Sequence, residues 1–170
     1  MRAVGAFLVG VVVVLLLRST ALSAFAARGV VLDALAFAVV AWSLRHGPAW
    51  GCTFGFALGV CADLDAAHWL GRHALVLTLV GYAVGRLAGT VVRESAGTQF
   101  ALILGATAIH QAWSSLFELQ GWSATPQLLA RVGIAALATA VTGAAILMIA
   151  RRVVGGPLFG NVSVQPGQAR

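Results

Sequence analysis

The residues that could do acid–base or ligand chemistry in this chain fall mainly in two places. Asp63 ends the run Gly59-Val60-Cys61-Ala62-Asp63. Further along, a stripe of polar residues recurs at three- and four-residue spacing, and it consists of Thr107, His110, Gln111, Ser114 and Glu118. Side chains at this spacing lie on one face of a helix. We therefore expect the polar stripe to point into the protein.

These residues do not form a pattern that is typical of catalysis. Asp63 and Asp65 are two residues apart, so they diverge on a helix, and His68 and His73 are five apart in a loop. The sequence has no His-Glu-x-x-His helix, no G-x-S-x-G elbow and no phosphate loop. The two cysteines lie in one apolar run without metal-ligand spacing. We predict no enzymatic activity, no metal site and no cofactor.

The composition favours a membrane protein. Of the 170 residues, 60% are hydrophobic and 9% are charged, whereas soluble domains carry about 25% charged residues. So few charges cannot make a water-facing surface, but they suit a surface that faces lipid. All eleven basic residues are arginines, scattered singly between apolar runs. Without a basic stripe alternating with aromatics, the net charge of +6 gives no indication of nucleic-acid binding.

Hydropathy predicts an all-α, polytopic membrane helix bundle of about six transmembrane helices over residues 1–154. A spanning helix needs about 20 mostly apolar residues. Six segments approach this, at about 3–22, 30–44, 49–64, 74–92, 98–117 and 127–150. Segments two and three are short, so one of them could be a half-helix or re-entrant. Residues 155–170 lack an apolar period and are expected to form a disordered cytoplasmic tail.

The first segment resembles a secretory signal peptide, because Arg2 precedes an apolar run and Ala24-Phe25-Ala26 resembles a cleavage site. Hydrophobic segments continue to the C-terminal region, so we interpret it as a retained helix. With six spans and an inner N-terminus, the inner side holds seven arginines and the outer side four. Cytoplasmic loops are enriched in arginine. Both termini are therefore predicted on the cytoplasmic side of a multi-pass protein.

Two glycine triplets recur with a spacing of four. They are Gly51, Gly55 and Gly59 in the third segment, and Gly81, Gly85 and Gly89 in the fourth. Small residues at this spacing let two helix backbones approach closely in a membrane. One interpretation is packing inside the bundle. The other is docking of a partner's helix.

Asp63 lies four residues after Gly59, near the same helix face and at the predicted outer end of the third helix. It could form a structural ion pair or helix cap, or contact a partner or ligand. Its candidate partners on that side are Arg18, Arg28, Arg72, His68 and His73. The polar stripe likewise has two interpretations. It could make interhelical hydrogen bonds, or, with Arg18, it could line an outward-facing pocket or a proton path.

The central stretch resembles the family of rod shape-determining proteins called MreD. The resemblance rests on Gly55-Phe56-Ala57-Leu58-Gly59-Val60-Cys61-Ala62-Asp63, on Leu70-Gly71 and Ala74-Leu75, and on Gly81-Tyr82 followed by Gly85-Arg86-Leu87. Leu17-Arg18-Ser19-Thr20 is similar to the family's motif at the end of the first helix. The resemblance covers 17–87 in motifs and the second half only in hydropathy.

The resemblance implies a membrane subunit of the bacterial cell-elongation machinery, located in the inner membrane and acting in peptidoglycan synthesis without catalysis. Such a subunit pairs with MreC, a bitopic protein, in a complex with cytoskeletal MreB, a RodA-type glycosyltransferase and a transpeptidase. The family is also similar in fold to the substrate-binding components of energy-coupling-factor transporters. On this basis Gly55, Gly59 and Asp63 are expected on or behind the surface that meets MreC.

The alternative is a small-molecule-binding subunit of a transporter, which would share the size, span count and orientation. Such a component should carry a motif of the A-x-x-x-A type that docks its partner helices, whereas the first helix here is rich in Val and Leu. A flippase or channel has no polar pathway beyond the polar stripe to support it.

Overall fold

The structure is a computed structural model that describes residues 2–22, 32–66, 71–118, 125–156 and 158–159. Its helices are α1 (Arg2–Leu17), followed by a π-helical turn (Arg18–Leu22), then α2 (Ala34–Ala66), α3 (Arg72–Leu87), α4 (Ala96–Glu118) and α5 (Thr125–Val154). The described residues form helices, turns and short connections. The all-α prediction is therefore confirmed for this part of the chain.

Element α2 is two helices joined by a sharp turn at Gly47. Gly47 has φ 82° and ψ −173°, and Pro48 follows it. The ring of Trp42 stacks on that of Phe54 with centroids 4.5 Å apart. In one straight helix, residues twelve positions apart would be separated by about 18 Å. The chain therefore reverses, and residues 34–46 pack against residues 48–66, in agreement with two separate predicted segments.

Glycines bring the second half of α2 and α3 into backbone contact. A Cβ added at Gly59 would lie 2.5 Å from the backbone N of Ala74, and one at Gly81 would lie 2.6 Å from the carbonyl carbon of Gly51. Both distances are too short for a real side-chain carbon. The pairs at closest approach are Gly51 with Gly81, Gly55 with Leu77, Gly59 with Ala74, and Gly85 with Pro48. These glycine faces therefore pack against neighbouring helix backbone within the same chain.

Gly89 does not take part in this contact. Helix α3 ends at Leu87, short of the predicted end near residue 92. Gly89 follows in a turn, where an added Cβ would meet only the carbonyl oxygen of Arg86, at 3.3 Å. The second glycine triplet therefore contributes two residues to packing, because the helix stops before the third.

The remaining helices pack on both sides of α2. Phe7 of α1 makes edge contacts with Trp42 and Phe54, with ring centroids 6.0 and 5.5 Å away. Helix α5 approaches the first half of α2 at Gly143, where an added Cβ would lie 2.7 Å from Phe37 and 3.1 Å from Ile103 of α4. The apolar core lies where these helices meet.

Several arginines gather at one end of the bundle. Arg93 donates from Nη1 to the carbonyl oxygen of Leu44 at 3.3 Å and from Nε to that of Ala88. Arg151 donates to the carbonyl oxygen of Glu94 at 3.0 Å. These bonds bring together the ends of 34–46, α3 and α5. We call this the arginine-rich end, and it carries Arg45, Arg86, Arg93, Arg151 and Arg152.

Part of the predicted disordered tail is packed. Phe159 is buried against the core, and its backbone N–H donates to Oε1 of Glu94 at 2.7 Å. The side chain of Glu94 also lies 3.8 Å from Nε of Arg151. The disorder expected from Gly155 onwards therefore does not include Phe159, because its aromatic side chain packs against the apolar core. Residues 157 and 160–170 lie outside the described residues.

One helix in the described part of the chain is long and apolar enough to cross a membrane by length and composition, Leu129–Val154, with a mean hydropathy of 2.2. A shorter apolar helix covers Val4–Thr20. Helix α3 has 16 residues, just below the range of about 17–25 for a full span. By length and composition, therefore, one of the six predicted spans corresponds to a described helix that could cross a membrane.

Candidate functional site

The carboxylate of Asp63 caps the first turn of α3. It accepts hydrogen bonds from the backbone N–H groups of Gly71 at 2.9 Å, His73 at 3.0 Å and Ala74 at 3.1 Å. The first N–H groups of a helix have no partner within the helix, and a negative charge there is favourable. Asp63 is only 1% exposed. A residue at the end of one helix therefore fixes the start of the next.

Asp63 also pairs with the imidazole of His73. Nδ1 of His73 lies 2.8 Å from Oδ1 of Asp63. With Nδ1 donating to the carboxylate, Nε2 faces the hydroxyl of Ser114 in α4 at 3.5 Å. Nearby, the indole N–H of Trp113 donates to the carbonyl oxygen of Arg72 at 3.1 Å. This pair connects the end of α2, the start of α3 and the C-terminal part of α4.

A second Asp–His pair lies beside the first. Nδ1 of His110 lies 2.5 Å from Oδ2 of Asp33, which also accepts from Nε2 of Gln111 at 3.2 Å. Oδ1 of Asp33 accepts from the backbone N–H of Ala36 at 3.0 Å, so Asp33 caps α2. Its own N–H donates to Oγ1 of Thr139 in α5 at 3.0 Å. Asp33 thus connects α2, α4 and α5.

The two pairs form one buried cluster, which we call the Asp–His network: Asp33, Asp63, His73 and His110. The imidazole rings of His73 and His110 are 5.3 Å apart between centroids and tilted by 60°. All four side chains are buried. Buried charges are stable only when they are paired and hydrogen-bonded, and removing one partner is strongly destabilising. The network therefore joins both halves of α2 to α3, α4 and α5, at the end of the bundle opposite the arginine-rich end.

Two polar atoms, one in the network and one next to it, lack a hydrogen-bond partner among the described residues. They are Nε2 of His110 and Oγ1 of Thr107, both buried and about one turn apart on α4. Buried polar atoms are nearly always satisfied by protein or water. Neither atom is accessible to solvent, so a water molecule or a small polar ligand would reach them only after the surrounding side chains move.

The structure brings together most of the predicted polar stripe. Thr107, His110 and Ser114 are buried and Gln111 is half-buried, so this face of α4 points into the protein. Glu118 is the last residue of α4, and its side chain lies outside the described part of the structure. Arg18 does not join the stripe. Its Nη2 lies 3.7 Å from Oδ2 of Asp65, and that carboxylate is exposed.

Asp33 was missed as a site residue by sequence reasoning, although its pair with His110 makes up half of the network. A signal was available, because Asp33 comes directly before an apolar helical run, the position of an N-cap. A carboxylate in that setting needs a counter-charge, and His110 is the histidine of the polar stripe. The pairing itself could not be read from spacing, since the two residues are 77 positions apart.

Among the described residues, no group of three or more His, Cys, Asp and Glu side chains is arranged to hold a metal ion. Each histidine of the network instead uses Nδ1 on a carboxylate. The site therefore has the character of paired, buried polar groups that connect helices.

Comparison with known proteins identifies one family. No curated protein and no solved structure matches the chain. The expected similarity in fold to energy-coupling-factor components therefore stays a prediction. The family model described as rod shape-determining protein MreD matches residues 1–119, well over half of the chain. This range includes the glycine contacts between α2 and α3 and all four residues of the Asp–His network. The chain belongs to the MreD family of rod shape-determining proteins.

Proposed function

We propose that this MreD-family membrane protein is a non-catalytic, multi-pass subunit of the bacterial cell-elongation complex that binds an MreC-like bitopic partner along α3. Family membership supports the rod-shape role and the inner membrane as its location. On this proposal the other members of the complex are MreB, a RodA-type glycosyltransferase and a transpeptidase. The protein contributes to peptidoglycan synthesis by holding these partners together.

The proposed topology has six crossings with both termini in the cytoplasm. It is supported by the arginine-rich end, where five arginines from α2, α3, α5 and the connection before α4 gather. Arginine-rich ends of helices face the cytoplasm in membrane proteins. The Asp–His network would then lie towards the outer side of the membrane.

The observation that carries the proposal is a stripe of exposed side chains on α3. Leu79 is 59% exposed and Tyr82 is 50% exposed, and Leu75 and Arg86 continue the same line. The four positions are separated by four, three and four residues, which is the spacing of a contact between two long helices. A bitopic partner offers a single transmembrane helix, so its geometry suits this stripe. We call Leu75, Leu79, Tyr82 and Arg86 the α3 stripe.

The glycines and Asp63 support this surface from behind. Gly55 and Gly59 contact the opposite side of α3, and Asp63 caps its first turn. A helix fixed in this way loses little conformational freedom when a partner binds, which favours affinity. Gly55, Gly59 and Asp63 therefore act in partner binding through the position of α3.

The experiment is co-purification in mild detergent with the MreC-like protein of the same organism. The test variant is Leu79→Ala with Tyr82→Ala, and the matched control is Leu137→Ala with Val141→Ala on the exposed face of α5. We expect the first variant to lose the partner and the second to retain it. Equal retention by both would contradict the proposal. A variant of Gly59 would not isolate binding, because a side chain there collides with Ala74 inside the chain.

A second candidate function, a small-molecule-binding subunit of a transporter, is favoured by the unpartnered Nε2 of His110 and Oγ1 of Thr107. A polar ligand bound there would remain through purification and be seen by mass spectrometry of the denatured sample. His110→Phe should release it. A retained compound combined with no partner binding would favour this function over the first.

A further inference from the structure

A cavity of about 550 Å³ lies between α1, the first half of α2 and α5, at the arginine-rich end. It is lined by Gly10 and Val14 of α1, by Ala41 and Trp42 of α2 and by Leu147 of α5. Phe159 and Leu158 of the C-terminal segment border it. Its size falls within the range of about 300–1,000 Å³ that is typical of ligand pockets.

The polarity of this cavity is graded along its length. Its walls are almost entirely apolar, whereas Arg45 and His46 stand at one end, both exposed. No acidic side chain is among the described residues that line it. The neighbouring Glu94 is held by the N–H of Phe159 and by Arg151. An occupant should therefore have an apolar body and an anionic head.

The length of the cavity matches one leaflet of a membrane. On α1 it extends from Ala6 to Val14, which is about 12 Å at the rise of 1.5 Å per residue. The hydrocarbon of one leaflet is about 15 Å thick, half of a bilayer core. An acyl chain that enters from the leaflet on the Arg45 side could therefore lie along the cavity with its headgroup at the membrane surface.

We propose that this cavity binds one acyl chain of an anionic phospholipid, with Arg45 contacting the headgroup phosphate. Basic residues at a pocket between transmembrane helices are a known means of recognising anionic headgroups. This lipid site is separate from the α3 stripe and does not depend on partner binding.

The test compares phosphatidylglycerol with phosphatidylcholine of the same acyl chains, added to the purified full chain in detergent. Bound lipid is counted by native mass spectrometry and thermal stability is followed in parallel. We expect phosphatidylglycerol to be retained preferentially. Arg45→Gln should weaken that preference about fivefold, since one arginine near an anionic headgroup contributes ~1 kcal/mol. Arg152→Gln, at the same end but outside the cavity, should leave it unchanged.

A second pair of variants tests the apolar part. Val13 lines the cavity and Val9 does not, and both are exposed. Val13→Phe should narrow the cavity and weaken retention of both lipids, whereas Val9→Phe should have no effect. Equal binding of the two lipids, or equal losses in Arg45→Gln and Arg152→Gln, would overturn the proposal. The chain is tested alone, so failure here leaves the proposed partner binding untouched.

Discussion

Asp63 and His73 are joined twice through one carboxylate oxygen. The backbone N–H of His73 donates to Oδ1 of Asp63 at 3.0 Å, and its ring Nδ1 lies 2.8 Å from the same atom. The first bond is part of a helix cap and the second is part of a buried pair. A single side chain therefore determines both where α3 begins and how His73 faces α4.

Removal of this carboxylate should be costly. Asp63→Ala leaves three backbone N–H groups and the His73 ring without their acceptor, and the loss of one member of a buried pair typically costs about 3–5 kcal/mol. We expect a large fall in the free energy of unfolding, measured by titration with denaturing detergent. Asp65→Ala is the control, because that side chain is 76% exposed. Similar effects of both changes would contradict the assigned cap.

Close glycine packing gives a second prediction. Gly59→Ala places a methyl group against the backbone of Ala74, so it should destabilise the protein by about 1–3 kcal/mol. Gly105 in α4 has open space around its Cα. Gly105→Ala should be neutral or stabilising by up to about 1 kcal/mol, since alanine favours helix more than glycine. The thermal unfolding temperatures of the two variants are compared. A Gly59→Ala protein as stable as the unchanged protein would contradict the close contact between Gly59 and Ala74.

The pair Asp33 and His110 can be tested by a double-mutant cycle. Because the two side chains bond directly, Asp33→Asn and His110→Phe should couple, with an interaction energy of about 0.5–3 kcal/mol. Asp33→Asn and Arg86→Gln lie at opposite ends of the bundle and should add within roughly 0.5 kcal/mol. The free energies of unfolding of the single and double variants supply the data. Additivity in the first cycle would show that the two side chains do not interact.

Packing of the C-terminal segment predicts a role for Phe159. Phe159→Ala removes a buried ring, and such changes cost up to about 3–5 kcal/mol where the site cannot collapse. Val153 is 81% exposed, so Val153→Ala serves as the control. Limited proteolysis should cut the Phe159→Ala protein near its C-terminus sooner than the control protein. Identical cleavage rates would mean that Phe159 does not hold the segment.

Much of the architecture could be predicted from hydropathy and turn signals. The turn at Gly47-Pro48 separates two apolar runs, and the periodicity of α4 places its polar residues on one face. The end of α3 was predicted five residues late. Apolar Val91 and Val92 continue the hydrophobic run there, although the backbone leaves the helix after Leu87.

The Asp–His network could be predicted only in part. Asp63 and its candidate His73 are ten residues apart, close enough for sequence reasoning to connect them. Asp33 and His110 meet only because α4 packs beside the start of α2. Long-range pairing of this kind depends on tertiary contacts that local periodicity does not encode. The packing of Phe159 could not be predicted for the same reason, because the helices it packs against are far from it in the sequence.

The most direct test of partner binding is photo-crosslinking in the membrane. A photoreactive amino acid is placed at Leu79 or Tyr82 of the α3 stripe, and at Val141 of α5 as the control. The account predicts a crosslink to the MreC-like partner from Leu79 and Tyr82 and none from Val141. A partner crosslink from Val141 alone, with none from the α3 stripe, would contradict it.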